Sequence, residues 1–205
     1  MTGVQTCALP ICTILVCTDA ARGEKMLEDA VAGGTLVEKQ AAITALGAVE
    51  GAAADAALAK QVDALVAGTL PPALAVDVAD AAASRQALKA KVEAYREGLK
   101  AKSKLGPWIL ALEGGDAERG RQVVNFHSAA ACLRCHMIEG TGGHAAPSLA
   151  GVVNRYDRLG LLTSLIDPNA FVAQGFGPIS AMPAMGTILT PREVRDVVEY
   201  LSTMK

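Results

Sequence analysis

Apolar positions recur at spacings of three and four along most of the chain, the period of a helix packed on one face. Leu36, Gln40, Ile43 and Gly47 fall on one such face, with Ala41 and Ala45 beside it. A second stretch, from about Ala52 to Ala67, carries Leu58, Val62, Leu65 and Val66. Gly68 closes it, and Pro71-Pro72 open the next helix, expected over Ala73–Ala83 with Leu74 and Val78 inward. Ser84 reads as the N-cap of a further helix bearing Leu88, Val92, Tyr95 and Leu99. Tyr95 and Met26 are expected in the core, and Lys89, Lys91, Lys100, Lys102 and Lys104, interleaved with Glu93 and Glu97, on a solvated face. Helix pairs of this size suggest an α-solenoid. A plain helical bundle is the alternative reading of the same pattern.

Polar Lys100–Pro107 then interrupts the periodicity, and the stretch 105–115 reads as a linker that includes the short apolar helix Trp108–Leu112 and the break Gly114-Gly115. Asp116 is placed to cap a helix over Ala117–His127. Asp157–Ile166 follows as a helix with Leu161, Leu162 and Leu165 apolar, stopped by Asp167-Pro168-Asn169. Thr190-Pro191-Arg192-Glu193 has the order of a capping box, and Val194, Val197, Val198 and Leu201 line one face behind it. The expected fold is all-α: a helical-repeat region over 13–104, in which Leu36–Ala83 is similar to HEAT-type repeats, the linker at 105–115, and a second domain over 116–205.

Composition narrows the classes. The chain is 51% hydrophobic but 3% aromatic, so alanine supplies much of the apolar share and helices are favoured. A net charge of −2 without a Lys/Arg cluster argues against nucleic acid as a partner. No apolar run reaches the roughly 18 residues of a membrane span. Residues 1–12 resemble the in-frame translation of a sequencing-adapter primer, which sets Cys7 aside and leaves Cys12 doubtful. A short signal peptide is the competing reading, weakened by the missing basic n-region and by Pro10.

The chemistry lies in Cys132-Leu133-Arg134-Cys135-His136, a C-x-x-C-H run of the kind that attaches haem c covalently. Two thiols about one turn apart can each add to a vinyl group of one porphyrin, and the next residue presents an imidazole to the iron. A zinc ribbon would need further ligands, and the other cysteines (Cys7, Cys12, Cys17) lie far upstream. A thioredoxin-like site would need a strand before the motif.

From Asp116 to Lys205 the chain resembles the class I cytochrome c domain. Asp116-Ala-Glu-Arg-Gly120 looks like the family's opening helix, with Gly120 matching the glycine that lets the first and last helices cross closely. Val124 stands where the family usually has an aromatic, with Phe126 nearby, and Tyr200 matches the aromatic of the last helix. The resemblance implies that Pro147 offers its carbonyl to the Nδ1–H of His136, that Leu149 packs on the ring, and that the loop Glu139–Leu149 uses its glycines to pass close to the porphyrin edge. It also implies a sulfur ligand from Met182-Pro183; Met185 is the alternative, and His127 and His144 are the other histidines.

The implied site is one covalent haem c held by Cys132 and Cys135, with Pro147 and Leu149 around it and His136 and Met182 on the iron. The implied function is electron transfer, with no catalytic residue in this stretch. A closer likeness is to the C-terminal part of large bacterial haem-binding proteins of the planctomycete and verrucomicrobial type, often carrying a dehydrogenase-like β-propeller upstream. That likeness implies a redox partner or a tethered dehydrogenase as electron donor, and a periplasmic or otherwise exported location. Many of those proteins have a β-rich insertion between Asp-Pro-Asn and Met-Pro, for which 170–181 leaves no room. The other functional readings are a haem catalyst or gas sensor with a displaceable distal ligand, and an interaction module whose haem is structural.

Overall fold

A computed structural model describes residues 20–205. The adapter-like stretch 1–12, with Cys7 and Cys12, and Cys17 beyond it lie outside those residues. The contacts divide the chain into two units, Met1–Gly98 and Leu99–Lys205.

In the first unit α1 (Ala20–Gly33), α2 (Leu36–Ala48), α3 (Ala52–Ala67) and α4 (Ala75–Ala83) follow one another through short turns. Thr35 starts α2 with a capping box: its hydroxyl accepts from Glu38 N (3.4 Å) and its own N–H donates to Glu38 Oε2 (2.7 Å). Gly68 ends α3 in the left-handed region at φ 72°. A 3-10 turn over Pro72–Leu74 then leads into α4. The core is Leu27, Ile43, Leu46, Leu58, Val62 and Val78.

The α2 contact with α4 is more extensive than that with α3. Small residues permit it: a Cβ on Gly47 would lie 2.9 Å from the Cβ of Ala81. The inward face of α2 is therefore Gln40, Ala42, Ile43 and Leu46, and Leu36, expected inward, is 41% exposed. Val66 is likewise turned out, at 46%. Ser84 does not cap the next helix. Its hydroxyl donates back to Ala81 O (2.7 Å) at the end of α4 and to Gly47 O (3.3 Å). α5 (Gln86–Lys102) buries Leu88 and Val92, whereas Tyr95, like Met26 of α1, is only half-buried. Lys91 pairs with Asp63, and Arg96 with Asp80 at 3.1 Å, so the charged face of α5 is partly tied down.

The division between the units falls in the last part of α5. Within the second unit, the stretch expected as a linker is folded: Gly106–Leu112 is a 3-10 helix with Leu105 and Ala111 buried. Arg158 holds it by donating to Leu112 O from Nε (3.0 Å) and Nη2 (2.8 Å). Its Trp108 ring fills the space beside Gly186, where a Cβ would sit 2.7 Å from the indole. The apolar run Trp108–Leu112 was the signal that this segment packs.

α6 (Ala117–Phe126) starts where Asp116 Oδ1 accepts from Arg119 N (2.9 Å), and His127 is its C-cap rather than its last turn. After the cysteine motif, β1 (Met137–Ile138) and β2 (Thr141–Gly142) pair antiparallel, Met137 opposite Gly142. Glu139 (φ 48°) and Gly140 (φ 80°) make their turn. α7 (Arg158–Ile166) is capped by Asp157 and ends before Pro168. α8 (Pro191–Leu201) has the full capping box of Thr190 and Glu193 and buries Val194, Val197, Val198 and Leu201.

α6 and α8 form the main packing of this unit. The buried Asp196 (5% exposed) accepts from Asp116 N and from Arg119 Nε, both at 2.8 Å. Tyr200 lies beside Gly120, as the resemblance implies, whereas Phe126 is 72% exposed and does not replace the aromatic missing at Val124.

On the outer face of α6, the Glu118 carboxylate accepts from Arg121 Nη2 (2.6 Å) and Nε (2.8 Å) and from Gln122 Nε2 (2.9 Å). Arg121 first, then Gln122, holds its carboxyl down to about 2. A depressed folded value means that this tie is in place above the ordinary carboxylate range and is lost as pH falls through about 2. The pair is exposed, so salt weakens it. An NMR titration should find the Glu118 carboxyl near 2, returning towards the ordinary range in Arg121→Ala; a midpoint of about 4.3 in the parent would show that the tie is absent in solution.

Candidate functional site

The cysteine motif is a single tight turn. Ala131, left-handed at φ 44°, leads into a 3-10 turn over Cys132–Arg134. The Cys132 carbonyl accepts from Cys135 N (3.2 Å) and His136 N (2.9 Å). Cys132 is half-buried and Cys135 exposed, and both are free thiols. Burial pushes the Cys132 thiol up.

The loop after the motif is bound back onto it. Gly143 N donates to Leu133 O (2.9 Å), Ala146 N to Cys135 O (3.0 Å) and Leu149 N to Met137 O (3.0 Å). These bonds require the glycines: a Cβ on Gly142 would strike the His136 carbonyl, and one on Gly143 the Arg134 carbonyl. The close approach that the glycines permit is therefore to the motif's own backbone.

This docking brings Pro147 under the imidazole. His136 Nδ1 lies 2.7 Å from Pro147 O. A carbonyl only accepts, so Nδ1 carries the proton and Nε2 keeps its lone pair. That bond orients the ring.

His136, Cys132, Pro147, Leu149 and Met182 line one apolar cleft. Counting its open mouth, the cleft encloses about 1130 Å³. Leu161 and Leu165 of α7 and Val124 of α6 form part of its wall, while the equally apolar Leu162 sits in the core instead. Cys135 is not on the wall. Met185 is 3% exposed and packs away from the cleft, and neither His127 nor His144 lines it. His127 Nδ1 accepts from Ala130 N (3.1 Å), and its Nε2 lies 3.8 Å from Glu193. Among the described residues no cluster of three or more His, Cys, Asp or Glu forms a metal site, and the strands are the two of the hairpin after the motif.

Four further residues on the wall were not singled out from the sequence. Tyr156, Phe171 and Phe176 are three of the seven aromatic side chains of the chain (one Trp, three Tyr, three Phe). Tyr156 and Phe171 meet at 6.0 Å between ring centres, tilted by 44°. Arg155 is the cationic side chain of the lining, its guanidinium held by Ser148 O (2.5 Å) and Ala150 O (3.5 Å). Haem fits this set: a lone-pair nitrogen, a thioether and a thiol on an apolar wall of aromatic rings, with one cation available to its carboxylates.

No helix among the described residues is long and apolar enough to cross a membrane. No curated protein and no solved structure matches the chain. Residues 117–205 match the family model described as Cytochrome c, which implies a haem c cofactor and haem-based electron transfer as the general function. The C-terminal part of the chain is a cytochrome c domain.

Proposed function

We propose that this domain carries a single haem c, bonded through Cys132 and Cys135 and ligated by His136 and Met182, and that it serves as the redox module of a larger dehydrogenase-like protein. The observation behind this reading is the His136–Pro147 bond at 2.7 Å, which leaves Nε2 as a ligand in a cleft whose wall includes Met182. Cys132 and Cys135 would hold the haem through thioethers, each S–H added across one vinyl C=C with no change of oxidation state. When bound, haem supplies an iron that exchanges one electron at a time between Fe(II) and Fe(III). His136 and Met182 would both hold the iron, which would leave no open site for oxygen or peroxide chemistry. The thioether and the apolar wall favour the ferrous state and raise the potential.

The electron donor proposed is a dehydrogenase domain or a separate redox partner; a tether would keep the donor at high effective concentration. The helices of the first unit are proposed as a HEAT-like repeat, because α2 stacks more on α4 than on α3. The location proposed is the periplasm or another exported compartment, where attachment of haem to reduced thiols takes place.

Protein co-expressed with a haem-attachment system should keep its pigment after acid–organic extraction and on denaturing gels, and the ferrous form should bind carbon monoxide slowly and weakly. Freely extracted pigment would overturn the covalent attachment. Rapid, tight carbon monoxide binding would overturn the two-ligand iron and favour a catalyst or gas sensor.

A further inference from the structure

We infer that Asn169 is a positioning residue for the Met182 sulfur, an inference that rests on reading Met182 as the second ligand of the iron. By sequence, Asp167-Pro168-Asn169 does no more than stop α7. The structure gives its last residue a second task. Asn169 Oδ1 accepts from Ser180 N at 2.9 Å, across ten intervening residues. A backbone N–H only donates, so the amide must present its oxygen here. Ser180 then passes the constraint on: its hydroxyl oxygen accepts from Met182 N at 3.2 Å. Beyond Met182, Pro183 fixes its own φ and offers no N–H.

The segment between the two ends has little to hold it. The backbone bonds of 170–179 are Ala170 N to Asp167 O at 2.9 Å, at its start, and Phe176 N to Ala173 O at 3.2 Å. Gly175 (φ 90°) and Gly177 (φ 91°) are left-handed. Phe171 rests on Tyr156, but Ile179, next to Ser180, is exposed. The Asn169–Ser180 bond therefore closes the loop at the point where the chain returns to the cleft. Removing it frees a ten-residue loop directly before the ligand, and the Met182-bound state must then order that loop itself. The bond is exposed to water, so its effect on the bound state is expected at the low end for a neutral hydrogen bond.

The test uses the haem-loaded chain and three variants: Asn169→Ala, Asn169→Asp, which keeps an acceptor oxygen, and Met182→Ala as reference. Two readouts report on the clamp: exchange of the Ser180 amide in the ferrous protein by NMR, and displacement of the sulfur from ferric iron by added imidazole. Asn169→Ala should exchange the Ser180 amide faster and bind imidazole more tightly, each by roughly 2- to 3-fold. Asn169→Asp should return both towards the parent. Parent-like exchange and imidazole binding in Asn169→Ala would overturn the clamp, as would an Asp variant that behaves like Ala. If Met182→Ala keeps the absorption band of sulfur-ligated ferric iron, the ligand assignment itself is wrong, whatever the Ser180 amide does.

Discussion

Gly120→Ala should unfold the second unit more readily than any other single methyl added to its helices. The new Cβ would overlap the Asp196 carbonyl and stand 2.8 Å from the Cβ of Tyr200. The obstacle is backbone on one side and a buried ring stem on the other, so no flexible side chain can move aside. Separating α6 from α8 would also stretch the bonds from Asp196 to Asp116 N and Arg119 Nε, now both 2.8 Å. Overpacking ordinarily costs 1–3 kcal/mol, and with a carbonyl in the way we expect about 3 kcal/mol or more. For a unit of this size that is a fall of roughly 10–20 °C in the melting temperature. Gly98→Ala is the contrast. Nothing lies within 4 Å of a Cβ there, and helix propensity favours alanine, so that change should raise stability by about 0.5–1 kcal/mol. Calorimetry on the two variants checks both signs. A Gly120→Ala protein that melts with the parent would mean that the terminal helices are further apart in solution.

The same crossing shows which parts of the fold could be read from residues alone. Some signals that act within one turn were legible: Asp116, and Thr190 with Glu193, each hold the helix start that their side chains can satisfy, whereas the caps at Asp157 and at Thr35 with Glu38 were not singled out. Signals that depend on a neighbour were not. The helical spacing of Leu36 and Val66 is correct, yet α2 buries Ala42 and Leu46 instead, and both Leu36 and Val66 face water. Ser84 suits either end of a helix; the carbonyls of Ala81 and Gly47 decide that it closes α4. The stretch 105–115 has the glycines of a linker, but Trp108 and the Arg158 bonds to Leu112 draw it into the second unit.

The cleft divides in the same way. Cys132, Cys135 and His136 are adjacent in sequence, so their motif carries its own geometry. The tie to Pro147 spans eleven residues and was expected through family resemblance, not from any period in the chain. The far wall comes from the loop 168–182, which has no secondary structure to leave a trace. Phe171, Phe176 and the Asn169–Ser180 bond are placed by tertiary contact, so neither spacing nor propensity could announce them.

Met182→Ala and Met185→Ala should have opposite effects, because the two methionines, three residues apart, lie in different surroundings. Met182 is on the cleft wall, and its half-buried side chain is not part of the core. Its truncation should cost little stability in the absence of haem. In the loaded protein it should abolish the sulfur-to-iron absorption band, open a site for carbon monoxide, and lower the midpoint potential by on the order of 0.1–0.3 V, a fraction of the ~0.8 V over which axial ligands act. Met185 begins a 3-10 turn, is 3% exposed, and its carbonyl accepts from Leu189 N (2.8 Å) ahead of α8. Truncating it leaves a cavity and should cost roughly 2–5 kcal/mol, while spectrum and potential stay those of the parent as long as the protein is folded. Redox titration and thermal melts of both variants give four readings. Loss of the band in Met185→Ala with Met182→Ala unchanged would exchange the two roles, and would require the ligand loop to reorganise around a side chain that is buried in this structure.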